Sequence, residues 1–248
     1  RVEQLLAAGR VGEALTAAQR LHERAQAAGE AVYADADYDL ATAFILLGRM
    51  LFRAGQAGAA LPLLADAQRR FTTVEARAPG CGAAHMVTRC IGERADCLRD
   101  LGRLDEAVQA YEQAIALAEQ RHNEREVAVG KGQLGTVRLL QRRFPEALAA
   151  HTEARERFAA LGEAASVAVA WHQIGLVHHY AGNGEAAEDA YREALAIEVL
   201  CNNVAGQAGT LTQLGLLYAD VLGRPGRRHA LSPGGRERRR VAQRSQRR

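Results

Sequence analysis

The sequence predicts an all-α solenoid of stacked helical hairpins, and three observations lead there. Trp171, Ile174, Gly175 and His178, followed by Ala187, Tyr191 and Ala194, fall three, four or seven positions apart, the spacing of one apolar face on each of two successive helices. Moved by 40 residues the set recurs, as Leu134, Gly135, Ala147, His151 and Ala154 before it and as Leu214, Gly215 and Tyr218 after it. A fixed period of that length marks a repeat whose copies bury their faces on each other. Third, the chain is 48% hydrophobic but only 5% aromatic, so alanine and leucine must fill the core. Short side chains suit helices that approach closely, and alanine is the best helix former.

Taken in order, residues 1–28 read as the end of one first helix, a turn at Gly9, and a second helix carrying Ala14, Ala18 and Leu21. A full repeat follows over 30–75. Phe44, Leu47, Gly48 and Leu51 lie on a first helix over 30–54, and Ala60, Leu64 and Ala67 on its partner. Pro62 falls within the first turns of that partner, where a missing N–H is tolerated. The period then stretches, and Pro79, Gly80 and Gly82 mark a loop over 76–84. The repeat over 83–121 has Ile91, Ala95 and Leu98, a turn at Gly102, then Ala107, Tyr111 and Ala114. Two regular units, 123–161 and 163–201, turn at Arg142–Arg143 and Gly182–Asn183, with Pro145 at a helix start. A half repeat over 204–222 carries Leu211, Leu214, Gly215 and Tyr218. Glycine inside a helix costs about 1 kcal/mol relative to alanine, so Gly135, Gly175 and Gly215 are expected at close helix crossings. Ala147 and Ala187 are expected to receive that contact, with Tyr111 and Tyr191 filling the gap towards the next repeat.

The joint spacing resembles the tetratricopeptide repeat, Trp-x2-Leu-Gly-x2-Tyr on the first helix and Ala, an aromatic and Ala on the second. Trp171, Ile174, Gly175, Ala187, Tyr191 and Ala194 match it, His178 stands at the first tyrosine, and the closing proline is absent. In the 83–121 repeat Arg94 takes the leucine place. A period of 40 makes these repeats similar to the long-helix kind of kinesin light chains and peptide-sensing bacterial regulators. The resemblance implies a right-handed superhelix with the first helices lining a concave groove. Mapped onto this chain, its groove positions are Arg49, Arg53, Arg89, Asp96, Arg99, Thr136, His172, His179, Tyr180, Thr212 and Asp220. The lysine and asparagine places of the carboxylate-clamping cochaperones hold Ile45, Gly92, Gly132, His172 and Thr212, and Arg49, Asp96, Thr136, Leu176 and Leu216. No clamp carries over.

Charge is unevenly placed. Residues 223–248 contain ten arginines and one glutamate, a net of +9 against +3 for the whole chain, which leaves −6 for residues 1–222. With two prolines, three further glycines and almost nothing apolar, residues 224–248 are expected to be disordered. Three readings of this stretch stand open: a tail for nucleic acid or an acidic partner, a solvated charge run, or a shifted reading frame in a GC-rich gene. Apart from such a tail, no nucleic-acid partner is expected. A half repeat ending here would leave Leu211, Leu214 and Tyr218 uncovered and prone to self-association.

Chemistry is not expected. Gly130, Lys131, Gly132 and Gly135 spell a dinucleotide fingerprint, but that motif works only in a tight turn after a strand, and here it falls inside a helix. His172, His178 and His179 lack the i, i+4 spacing of a helical zinc pair. Cys90 and Cys97 lie roughly 10 Å apart along one helix, and Cys81 and Cys201 have no CxxC neighbour, so free thiols are expected. No cofactor, metal or catalytic group is predicted. Neither an 18-residue apolar run nor a signal pattern is present, which points to the cytoplasm and away from a membrane. The chain begins without methionine and inside a repeat, as a piece of a longer protein would. Its expected function is to bind a peptide or protein segment, either as a scaffold or as the sensor arm of a bacterial signalling ATPase or transcription regulator.

Overall fold

A computed structural model describes residues 2–29 and 35–223, and the expected disorder of residues 224–248 lies outside them. Among the described residues there are eleven α-helices and no strand: α1 (Val2–Ala7), α2 (Val11–Ala28), α3 (Ala36–Arg53), α4 (Ala57–Arg77), α5 (Ala83–Asp100), α6 (Leu104–Gln120), α7 (Glu124–Leu140), α8 (Phe144–Ala160), α9 (Ala164–Tyr180), α10 (Gly184–Leu200) and α11 (Val204–Gly223). The described residues up to Gly130 form one compact unit and those from Lys131 onward a second, with the boundary inside α7. Within each unit, helices pack on their neighbours in sequence, and first helices of adjacent repeats also touch, α3 on α5 and α9 on α11. That is the contact pattern of stacked hairpins.

The turns follow from backbone chemistry. After α9 the chain passes through Gly182 at φ +81°, and the Asn183 N–H donates back to the His178 carbonyl at 2.8 Å. A left-handed residue closing a helix in this way caps carbonyls that would otherwise lack partners. At the equivalent place 40 residues earlier, Arg142 adopts φ +60° and Arg143 N–H reaches the Arg138 carbonyl at 2.8 Å. The turn is thus set by the geometry, which arginine accepts at a steric cost.

In the first unit, Phe71, Ile45, Met50 and Leu64 are fully buried in a core built from α2, α3, α4 and α5. In the second, Tyr191, Ala187, Leu214 and Leu217 form a core between α10 and α11. The glycine positions explain the close crossings. A Cβ on Gly48 would meet Leu64 Cγ at 2.8 Å, one on Gly135 the His151 ring at 2.8 Å, and one on Gly175 the Tyr191 ring at 2.5 Å. His151 and Tyr191 sit four residues beyond Ala147 and Ala187, the alanines expected to make the contact, and Leu64 likewise stands four beyond Ala60. The alanines are fully buried beside these larger side chains. Tyr191 therefore covers the glycine of its own repeat and also packs with Leu214 and Leu217 of the next one. Tyr111 likewise turns to its own repeat, donating to Asp96 at 2.6 Å.

Gly215 differs from its register mates. Nothing lies within 4 Å of a Cβ placed there. The register would place a crossing second helix after Gly223, where the sequence reading expects none and which lies outside the described residues. Leu214, expected to be bare, is buried against α10, while Leu211 and Leu216 are more than half exposed. The α11 helix thus turns Leu214 and Leu217 inward and leaves Leu211 and Tyr218, both expected to be bare, exposed together with Leu216.

Candidate functional site

The mapped positions all lie on first helices. Arg49 and Arg53 are on α3, Arg89, Asp96 and Arg99 on α5, Thr136 on α7, His172, His179 and Tyr180 on α9, and Thr212 and Asp220 on α11. They do not form one cluster; each unit brings together its own subset.

In the first unit Glu93, which the sequence reading passed over, is the centre of the set. Its Oε1 accepts from Arg49 Nε on α3 at 3.0 Å and from Arg89 Nε at 3.2 Å, tying two first helices together. Burial pushes the Glu93 carboxyl up to about 7, outweighing the two guanidinium groups, which pull the other way. Its Oε2 is buried and makes no hydrogen bond. One turn on, Arg99 pairs with Asp96 and with Asp100, both at 3.0 Å. Burial raises the Asp96 carboxyl as well, against the pull of the Tyr111 hydroxyl and the Arg99 charge. Arg49 and Arg99 are therefore structural as well as surface residues, and replacing either would strand a buried carboxylate. Arg53, at the end of α3, is exposed. A signal for Glu93 was available: Arg89, Glu93 and Asp96 stand four and three apart, one stripe of α5.

Arg94, in the motif's leucine place, spans to α4 and donates to Gln68 at 2.5 Å. Cys90 and Cys97 are buried on α5, and burial pushes both thiols up to about 12, so neither is a thiolate nucleophile. Cys81 and Cys201 are exposed and free.

In the second unit, His172 is engaged between helices rather than presented to solvent. Its Nδ1 lies 2.9 Å from Thr210 Oγ1, which donates to the buried Glu198 at 3.1 Å, and its ring meets the edge of Tyr191 at 5.6 Å. Burial lowers its pKa, against the opposing pull of Glu198. His179 pairs with Asp220 across α9 and α11 at 3.1 Å, with Tyr180 stacked beside it. Tyr180 itself is 65% exposed. Thr136 and Thr212 return their hydroxyls to the carbonyls of Gly132 and Ala208 on their own helices. Trp171 is half-buried under the Arg155 guanidinium, 4.5 Å from its ring centre. His178 is half-buried, as a residue at the motif's tyrosine place would be, and burial lowers its pKa.

The glycine run 130–135 lies within α7. A Cβ on Gly130 would strike Ile115 at 2.6 Å, so its spacing serves helix packing and not a phosphate loop. Among the described residues no group of three or more His, Cys, Asp or Glu could hold a metal ion, and no helix is long and apolar enough to cross a membrane.

Comparison with known proteins agrees with this geometry. A family model described as tetratricopeptide repeat matches residues 126–198, and a second of the same description matches residues 89–121. No curated protein matches the sequence. Among solved structures, BtubC from P. vanneervenii is 21% identical with a TM-score of 0.68, covering 94% of this chain and 92% of its own. The Rap conjugation gene regulator of plasmid pLS20, solved with the Phr* peptide, is 14% identical with a TM-score of 0.65; 87% of this chain matches 56% of that one. A signal transduction ATPase with a tetratricopeptide repeat sensor, from Pyrococcus horikoshii, is 10% identical with a TM-score of 0.70, where 88% of this chain spans 31% of that one. At these identities the likeness is one of fold.

Proposed function

This chain is a tetratricopeptide-repeat protein, a scaffold for protein interaction, and from that premise we propose that it binds a peptide or protein segment along the first-helix face of one or other of its units. The observation that carries the proposal is the first-helix face itself. Side chains there are polar or charged, several are fixed by pairs that bridge adjacent repeats, such as Arg49 to Glu93 and His179 to Asp220, and others, Arg53 and Tyr180, stay exposed beside them. Fixed polar groups next to exposed arginine and tyrosine are the makings of a recognition surface, since ordering costs are already met and both residue types are enriched at binding hot spots.

A test uses the full chain against a random-peptide display library. Peptides selected from it should lose several-fold in affinity on Arg53→Ala or Tyr180→Ala, with the far-ultraviolet circular dichroism of both variants unchanged. Selected peptides indifferent to both substitutions, yet displaced by a change on the outer face such as Glu112→Arg, would defeat the proposal.

A second reading takes the chain as the sensor arm of a larger regulatory protein. It is favoured by the match to the sensor-bearing ATPase, where this chain spans only 31% of the other. Both readings use the same face. Under the second, binding would also alter the activity of an attached domain. Self-association through Leu211 and Leu216 of α11 is a further proposed contact, since both are more than half exposed beside Thr212 and away from the Leu214–Leu217 core.

A further inference from the structure

The first helices of the second unit differ from those of the first in charge. α9 carries no lysine, arginine, aspartate or glutamate and α11 carries Asp220 alone, whereas α3 holds Arg49 and Arg53 and α5 holds Arg89, Arg94 and Arg99. Where α9, α10 and α11 meet stands a polar chain that the repeat does not call for. Glu198 takes the place that Phe158 and Ala118 hold 40 and 80 residues earlier, Thr210 that of Ala170 and Gly130, and His172 that of Gly132 and Gly92. The three departures are joined in space, His172 to Thr210 and Thr210 to Glu198. Burying a carboxylate is costly, and apolar residues at the same places serve the packing elsewhere.

The order of protons along this chain follows from its buried end. The Glu198 carboxylate, 3% exposed, accepts the single Thr210 proton at 3.1 Å. Thr210 Oγ1 must then accept from His172 Nδ1–H at 2.9 Å, which leaves the lone pair of His172 Nε2 free. That nitrogen makes no hydrogen bond and, unlike Nε2 of His22 and His151, is not enclosed. Glu198 Oε2 is enclosed without any hydrogen bond. Seven residues on, about 10 Å along α9, His179 Nε2 lies 3.1 Å from Asp220 Oδ2, and the Asp220 side chain is 60% exposed. The exposed Tyr180 ring stacks beside His179, and Leu176 lies half-buried between the two histidines on the same stripe of α9. α10 packs against both α9 and α11, which also touch each other, so the seam is closed beneath.

We propose that this α9–α11 seam receives a basic segment of polypeptide, one arginine donating to Asp220 over the Tyr180 ring and a second donating to His172 Nε2, with an apolar side chain resting on Leu176 between them. The proposal rests on the peptide-binding reading above and gives the face of the second unit a partner chemistry. Charge complementarity selects the occupant. The seam offers acceptors and an aromatic face, and neither α9 nor α11 has a lysine or arginine to meet an acidic partner. A guanidinium is all donor and no acceptor, and it stacks on aromatic rings. At His172 its charge also offsets the buried Glu198 carboxylate, to which the ring is joined through Thr210. An acidic segment would set acceptors against acceptors.

The experiment titrates the full chain into three fluorescein-labelled dodecapeptides: one alternating arginine and leucine pairs, one with citrulline for arginine, one with glutamate for arginine. Anisotropy should show the first binding at least tenfold tighter than the other two and weakening as salt rises. The double variant Asp220→Asn/Tyr180→Ala, at two exposed positions, should lose that binding by tenfold or more with unchanged circular dichroism, and Glu198→Gln should lose it in part. Glu193→Gln, an exposed change on the outer side of α10, should leave it as it was. Equal binding by the double variant, or an equal loss in Glu193→Gln, would show that the arginine peptide is held by general charge and would overturn the inference. A citrulline peptide as tight as the arginine one would overturn the choice of a basic partner. If neutral or acidic library peptides bind and weaken on Tyr180→Ala while the arginine peptide does not bind, the inference falls and the first-helix reading stands.

Discussion

Replacing Gly175 with alanine adds one methyl group where α9 crosses α10. A Cβ there would lie 2.5 Å from Cδ1, 2.6 Å from Cε1 and 3.0 Å from Cγ of Tyr191. Carbon atoms in comfortable contact sit about 3.5–4.0 Å apart, so the ring or the helix must move by about 1 Å. Tyr191 has no room to yield cheaply: it is fully buried, and the His172 ring lies against it at 5.6 Å. Overpacking of this kind costs roughly 1–3 kcal/mol, while alanine recovers about 1 kcal/mol of helix propensity, leaving a net loss of up to about 2 kcal/mol. Gly215→Ala, at the same register in α11, gains the propensity without the clash, since nothing lies within 4 Å of its Cβ. The difference between the two variants therefore isolates the packing term, about 1–3 kcal/mol, or some 2–4 °C of melting temperature per kcal/mol in a chain of this size. Thermal and urea melts followed by circular dichroism read it directly. Equal stabilisation by both substitutions would mean that α9 and α10 do not cross at Gly175 and that the repeat register is misplaced.

Other expectations follow from the same geometry. Burial holds His151 down to about 4 against 6.5 in the unfolded chain, so the unfolded state takes up a proton first, and the stability of the second unit should be full above pH 6.5 and fall as the pH drops towards 4. That loss amounts to up to about 3 kcal/mol, and His151→Leu should flatten it in urea titrations run across the interval; an unchanged slope would show that the ring is not buried neutral. Glu93 has the opposite sense: raised to about 7 from 4.5, its contribution is present below pH 4.5 and lost as the pH rises through 7. Glu93→Gln should thus match the parent in acid and exceed it in stability at pH 8, and a variant weaker at pH 8 would show that the arginine pairs outweigh burial. Leu211→Asp/Leu216→Asp should shift any concentration-dependent oligomer to monomer in sedimentation, and an oligomer that persists must use another surface.

Much of the fold was legible because the 40-residue period copies one packing solution. The helix order, the turns at Gly102 and Gly182, and the glycines at 135 and 175 follow from recurring small and large positions. What the pattern could not give is which side chain fills each gap. Alanine and the residue four beyond it lie on the same helical face, so Ala187 and Tyr191 are equivalent to periodicity, and only the three-dimensional crossing assigns the contact to Tyr191. Gly215 shows the converse: a residue can keep the register with nothing within 4 Å of a Cβ placed on it. In the candidate site, exposed positions such as Arg53 and Tyr180 could be mapped from the first helices. The Arg89–Glu93–Asp96 stripe of α5 was legible as well, whereas the Arg49–Glu93 pair and the Glu198–Thr210–His172 chain were not, because they join residues 12 to 44 positions apart whose pairing depends on side-chain reach.

Photo-crosslinking shows whether a first-helix face holds a polypeptide partner. A library-selected peptide carrying a photoreactive group, bound to the full chain and irradiated, should attach to the first helices of the unit that holds it, near Arg53 in the first unit or near Tyr180 and Thr212 in the second. Attachment instead to the exposed outer residues of α4, α6, α8 and α10, such as Thr72, Glu112, Glu156 or Glu193, would contradict it.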